Sequence, residues 1–261
     1  MNKYIIYLKT FNKYSYLLSL LIKKEIKKKY RGSMLGVLWS LVNPLLQMAV
    51  LTLVFSTLFN REISNFPVYM LCGFLLFQFF SSTTQSAMRS MITSESLIKK
   101  IYIPKYIIPL SIIVANFIFF LISMIDLILV MILTGAHITV YIIYTPIYLV
   151  LFFVFCCGIS LILTTVTVFF RDIEHIYGVL LMAIHFFSAV FYPPEIVPER
   201  YQFILTFNPL YHYIKGFRDV LYVGISPNFT NILICLGIAM LSLILGILIF
   251  EKQQNKFVLY L

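Results

Sequence analysis

Amide and hydroxyl side chains recur at helical spacing inside the most apolar runs of this 261-residue chain. Gly36, Ser40, Asn43 and Gln47 follow one another at steps of four, three and four, which sets them on one helical face. Gln78, Ser81, Ser82, Gln85 and Arg89 repeat the pattern, as do Ser160, Thr164, Thr167 and Arg171. Such faces must meet other helices or water, because hydrocarbon leaves their donors unpaired. Two uses are open. One is interhelical hydrogen bonding, at about 0.6 kcal/mol per bond. The other is a conduit: Asn43, Gln47, Gln78, Ser82 and Gln85, joined by Trp39, Phe79 and Phe80, combine amide donors with aromatic faces, a pairing suited to sugar rings.

Reactive constellations are missing. There is no G-x-x-x-x-G-K-[ST] loop, no H-E-x-x-H and no pair of carboxylates within an apolar run. Asp126, the one acid inside a run, stands about 20 residues into its helix, near the outer interface. Pairing with an outer Lys or Arg, or snorkelling, competes there with a proton relay. His185 is expected to hydrogen-bond between helices. Arg171, Asp172, Glu174 and His175 form the only cluster of acids and His at one membrane face that an enzyme could use, and a cytoplasmic turn or partner contact explains it more simply. Cys72, Cys156, Cys157 and Cys235 all fall in apolar runs and read as packing residues rather than disulfides or zinc ligands. Active transport would draw its energy from another chain or an ion gradient, and an ion-coupled secondary transporter should show repeats and midplane charges that are not evident.

The elements that position these residues are helices in lipid. With 61% hydrophobic and 11% charged residues and a mean hydropathy of +0.95, the chain cannot cover a water-facing surface. Runs at 34–59, 67–88, 106–133, 141–170, 177–192 and 229–250 approach or exceed the roughly 20 residues needed to cross a bilayer. The alternation of barrel strands is absent. The expectation is therefore an all-α polytopic membrane protein with six transmembrane helices, the fifth broken at Tyr192-Pro193-Pro194.

Lys3, Lys9, Lys13, Lys23, Lys24, Lys27, Lys28, Lys29, Arg31, Arg89, Lys99, Lys100, Lys105, Arg171, Lys252 and Lys256 fall on one side of that arrangement. Only Arg61, Arg200, Lys215 and Arg218 fall on the other, so both termini are expected in the cytoplasm. The net charge of +10 then reflects topology and anionic lipid, not nucleic acid. The N-terminus lacks the pattern of a cleaved signal peptide, so the first helix is expected to stay.

Residues 1–33 form a cytoplasmic segment in which Leu17, Leu18, Leu21, Ile22 and Ile26 oppose Lys23, Lys24 and Lys27, as in a helix lying in the membrane surface. The six-helix domain runs over 34–250 and a cytoplasmic tail over 251–261. In the loop after the second span, Ser94 is placed to cap a short helix that Pro104 ends; this helix serves either partner contact or a positive anchor. The outer segment 192–228, rich in Pro yet amphipathic, is expected to form re-entrant broken helices between the fifth and sixth spans.

The stretch 29–44, KYRGSMLGVLWSLVNP, resembles the signature opening of ABC type 2 export permeases that move polysaccharides. Residues 97–105, LIKKIYIPK, are similar to the family's second-to-third loop. Phe169-Phe170-Arg171-Asp172-Ile173, Asn208-Pro209 and Phe217-Arg218-Asp219 match further landmarks in family order. The resemblance implies two copies of this chain joined to two ABC ATPase subunits in the inner membrane, with ATP and Mg on the ATPase and no cofactor here. The implied cargo is a polyprenyl-pyrophosphate-linked glycan, O-antigen favoured over capsule or teichoic acid. It implies that 94–101, with Ser94, Glu95, Leu97, Lys99 and Lys100, is a coupling helix. Arg171 and Asp172 are read as part of the same contact, to which the N-terminal helix contributes. It implies an external gate at 192–226, to which Tyr192, Pro193, Asn208 and Arg218 belong. Lys28, Lys29 and Arg31 on the basic rim are expected to attract the pyrophosphate, although such clusters also anchor helices.

Overall fold

The computed structural model describes the backbone of residues 3–29, 31–59 and 63–260, and the side chains of 13–29, 31–55 and 63–260. Tyr30 and Arg61, and the side chains of Lys3 and Lys9, lie outside the described residues. In chain order, α1 (Lys3–Lys29) precedes α2 (Trp39–Phe59), α3 (Phe66–Thr93) and the short α4 (Glu95–Lys100). Next come α5 (Ile107–Leu133), α6 (Thr145–Phe169) and α7 (Ile173–Phe186). Two short helices, α8 (Gln202–Phe207) and α9 (Pro209–Arg218), lead to α10 (Phe229–Gln253) and α11 (Phe257–Tyr260).

Local chemistry sets several of these boundaries. Proline stands in the first turn of α3, α6 and α9, where its missing N–H has no helical partner to lose. The side chains of Asn208 and Asn228 accept from the Leu210 and Thr230 amides and cap α9 and α10.

Five helices, α2, α3, α5, α6 and α10, are long and apolar enough to cross a membrane. The expected fifth of six spans is instead α7, a helix of 14 residues. At about 1.5 Å per residue it reaches roughly 21 Å, short of a hydrocarbon core of about 30 Å. It stops at Phe186, ahead of the Tyr-Pro-Pro stretch, and the chain turns through Ala189 in the left-handed region at φ 50°.

The core centres on α3, buried along most of its length between α5 and α6. Against α6 packs α10, at a distance only glycine permits: a Cβ on Gly158 would lie 2.3 Å from the Ser242 carbonyl carbon, and one on Gly246 would lie 2.5 Å from the Gly158 oxygen. Thr164 adds a hydrogen bond of 2.8 Å to the Ala87 carbonyl, fastening α6 to α3. A second apolar cluster, with Met91, Ile98, Ile108, Val168, Phe250 and Phe257, joins the ends of α3, α6 and α10 to α4, α5 and α11.

In α1 the expected amphipathic arc is present, with Leu17, Leu18, Leu21, Ile22 and Ile26 half-buried and Lys23, Lys24 and Lys27 exposed. Tyr14 and Leu17 pack into the cluster that holds Ile103 and Ile108, while Lys29 Nζ sits 4.1 Å over the Phe119 ring. Thus α1 runs alongside α5 and ends beside its middle, about 18 Å along the α5 axis from Ile107.

Candidate functional site

Ser40 and Pro44 organise the first site. Pro44 has no N–H, so the Ser40 carbonyl loses its partner one turn on. Ser123 of α5 supplies the donor instead, at 2.9 Å, and pins the start of α2 against α5. Beside this joint lies a cavity of about 100 Å³, walled by α1, α2, α3 and α5. Trp39, Asn43, Gln78, Phe79 and Ser82 line it, so five of the seven expected conduit residues meet in one place. Gln47 stays outside and donates to the Asn43 Oδ1 at 3.4 Å; Gln85 is exposed nearer the end of α3.

Four further polar residues line the cavity: Lys29, Ser40, Asn116 and Ser123. Of the expected basic trio, only Lys29 reaches the cavity. Desolvation there holds its ammonium below the ordinary lysine pKa, although the side chain keeps an open edge. Lys28 pairs with Glu25 at 3.8 Å, and Arg31 is exposed in the following turn. Asn116 and Ser123 were not singled out by sequence, yet they stand seven residues apart, two turns along one face of α5.

Around the break after α7, Tyr192, Asn208 and Arg218 come together. Asn208 Nδ2 donates to the Phe187 carbonyl at 2.8 Å and to Ser188 Oγ at 2.9 Å. Arg218, buried at 6% exposure, donates to the carbonyls of Ala189 at 2.7 Å, Val190 at 2.6 Å and Tyr69 at 3.2 Å. The Tyr69 hydroxyl accepts from Arg218 and donates to the Tyr192 carbonyl at 2.8 Å. Gly73 leaves room for the guanidinium: a Cβ there would stand 2.7 Å from Nη2. Pro193 follows in extended backbone and opens the short turn Pro194–Ile196. Below the break, α9 buries Leu210, Tyr213, Ile214 and Phe217 between α3, α6 and α10.

At the opposite end, α4 and the turn 170–172 lie side by side. Glu95 and Lys99 pair at 2.6 Å, and this bond, reinforced by the nearby charge of Arg171, holds the Glu95 carboxyl below its ordinary pKa. Leu97 is half-buried against the second cluster, whereas Lys99, Lys100, Arg171 and Asp172 are exposed beside Tyr102 and Phe170. Ser94 stands at the start of α4 but makes no side-chain cap. Arg89 bonds Glu174 at 2.9 Å and ties α3 to the first turn of α7.

Two expectations change. Asp126 pairs with no Lys or Arg among the described residues; it is buried in α5, with Oδ2 lacking a hydrogen-bond partner there. His185 stacks on Phe77, ring centres 3.9 Å apart, in place of the expected hydrogen bond.

The model of the family described as ABC-2 type transporter matches residues 16–222. An O-antigen export system permease protein, RfbA of Klebsiella pneumoniae, is 29% identical over 242 residues, 92% of this chain and 93% of its own. RfbA of Myxococcus xanthus is 27% identical over 246 residues, 94% of this chain and 95% of its own. The polysialic acid transport protein KpsM of Escherichia coli is 24% identical over 242 residues, covering 90% and 92%.

Proposed function

We propose that this chain, which belongs to the ABC-2 type transporter family, is the membrane-spanning permease subunit of a bacterial exporter that moves a polyprenyl-pyrophosphate-linked polysaccharide across the cytoplasmic membrane, with O-antigen as cargo. The carrying observation is the breadth of the likeness: permeases named for O-antigen export align with more than nine-tenths of this chain at 27% and 29% identity. The polysialic acid relative stands at 24% and keeps a second glycan class in view.

In this reading ATP and Mg belong to two separate ATPase subunits, and both termini face the cytoplasm with them, α7 and the broken segment after it together carrying the chain across once more between α6 and α10. The exposed surface of α4 and the turn 170–172 receives the ATPase. Two copies of the chain assemble to enclose the path, because one set of five spanning helices is too few to surround a glycan. The outward apolar faces of α2, with Leu46, Val50 and Leu53, and of α7, with Ile176, Val179 and Met182, support that pairing. The segment 192–228 forms the outer gate, re-entrant from the outer side, with Arg218 and Asn208 holding its closed form.

Deleting the gene in its own bacterium, with complementation, tests this directly. Surface glycan should vanish while polyprenyl-linked glycan accumulates inside, and the permease purified from membranes should bring an ABC ATPase with it. Unchanged surface glycan in the deletion strain sinks the proposal.

A further inference from the structure

Helix α7 presents two inward stripes, and only one of them is filled. Glu174, Tyr177 and His185 hold the helix to α3, meeting Arg89 at 2.9 Å, the Thr84 hydroxyl at 2.7 Å and the Phe77 ring at 3.9 Å between centres. Ile173, Ile176, Leu180 and Ile184, which follow one another at steps of three and four, face a cavity of about 830 Å³ instead. Phe155, Ile159 and Leu163 of α6 wall its other side, and Phe203 and Phe207 of α8 close the end beyond Phe187. Two polar side chains lie on the lining, and both are engaged. The Tyr177 hydroxyl donates to Thr84, while Asn208 donates to Phe187 and Ser188 and accepts from the Leu210 amide. The walls therefore recognise hydrocarbon.

Ile176 and Leu180 are 67% and 50% exposed, so the cavity opens sideways toward the bilayer. Lipid tails are as apolar as these walls, which leaves length and shape to choose among hydrocarbons. Along the roughly 21 Å of α7, the volume gives a mean cross-section of about 40 Å². A helix with its side chains, about 10–12 Å across, needs at least about twice that, so a spanning helix of a second copy does not fit. One leaflet of a hydrocarbon core of about 30 Å is roughly 15 Å deep, so a single phospholipid acyl chain stops short of the far end. A chain longer than a leaflet fills the length, and methyl branches along it supply the contacts that a thin straight chain would leave unmade. We infer that the groove between α6 and α7 seats part of the polyisoprenoid tail of the lipid-linked cargo, the remainder of the tail staying in the bilayer. The inference rests on the export reading above and gives the lipid end of the substrate a place. Val179 and Met182 do not line the groove and stay available for the pairing of copies.

The permease, purified from membranes together with its ATPase and exchanged into detergent, is given equal concentrations of undecaprenyl phosphate, farnesyl phosphate and dioleoylphosphatidylglycerol. Native mass spectrometry then counts what it retains. Undecaprenyl phosphate should be held at least tenfold more than either competitor, although all three carry phosphate. Leu180→Trp and Ile159→Trp, which fill the groove, should cut that retention fivefold or more, while Val179→Trp and Met182→Trp leave it unchanged. The chain-length comparison uses the unaltered protein, so it stands even where a tryptophan variant fails to fold. Equal retention of farnesyl phosphate overturns the seat, because a head group is then all that is recognised. Equal retention of the phospholipid overturns it as well, the groove then holding acyl chains from the two leaflets end to end. A loss in Val179→Trp or Met182→Trp as large as in Leu180→Trp places the tail elsewhere and has the same effect. Export itself is decided by the gene-deletion phenotype, which none of these binding results touches.

Discussion

The guanidinium of Arg218 lies 3.6 Å over the ring of Tyr69 and donates to the hydroxyl of that same residue at 2.9 Å. Residues 149 positions apart are thus joined near the start of α3, and the carbonyls of Ala189 and Val190 complete the clamp. Removing the guanidinium strands the buried carbonyl oxygens of Ala189 and Val190 and takes a donor from the Tyr69 hydroxyl. Arg218→Met should lower unfolding free energy by about 3 kcal/mol, read as a depressed thermal midpoint in micelles. Arg218→Lys should recover only part, because an ammonium lacks the planar fork. An unshifted midpoint in Arg218→Met removes the clamp.

The α6–α10 contact gives a second expectation. Gly158→Ala and Gly246→Ala each push a methyl into backbone across the interface and should cost about 1–3 kcal/mol. Gly237→Ala, where a Cβ meets nothing within 4 Å, should be neutral or slightly stabilising. Equal effects at all three positions contradict the close approach.

Asp219, after α9, makes a pH-dependent case. Burial raises its carboxyl pKa above the ordinary 3.8, with Lys215 opposing the shift. A raised folded value means the folded chain binds more protons than the unfolded one just above pH 3.8, so stability falls as pH rises through that window. The penalty is fully present above the folded pKa. Asp219→Asn should therefore raise the thermal midpoint at pH 7 and lose that advantage below pH 3.8. A constant offset across pH rejects the assignment.

Arg89 and Glu174 supply a functional expectation with a small stability term. The pair is largely solvent-facing on the Arg89 side, so Glu174→Gln should change unfolding free energy by less than about 1 kcal/mol. Because the pair sets the first turn of α7 against α3, surface glycan delivered per permease should still fall. The exchange Arg89→Glu with Glu174→Arg should restore it, and failure of the double variant alongside a normal fold argues against the pairing.

Much of this arrangement was legible because lipid restricts the options. Apolar runs bounded by Lys and Arg mark α2, α3, α5, α6 and α10 within a few residues, and the i, i+3, i+7 spacing of Ser40, Asn43 and Gln47 marks a shared face. The length of α7 was not legible, since its apolar run continues past Phe186 and hydropathy carries no trace of the turn at Ala189. Nor was the cavity. Asn116 is a single amide in a run dominated by Ile, Phe and Leu, and its value depends on Lys29 arriving from a helix expected to lie flat. The tie between Ser123 and Ser40 arises from a carbonyl freed by Pro44, which can be suspected from sequence but not aimed at a partner.

Gly158 and Gly246 bring two long helices to backbone distance, and that intimacy has a mechanical side. Joined so tightly, α6 and α10 form a post, while α7 leaves the foot of α6 through the short turn at 170–172 and turns most of its surface outward. Any push delivered at that turn finds a fulcrum in the post and a lever in α7, whose far end meets the chain reversal held by Arg218.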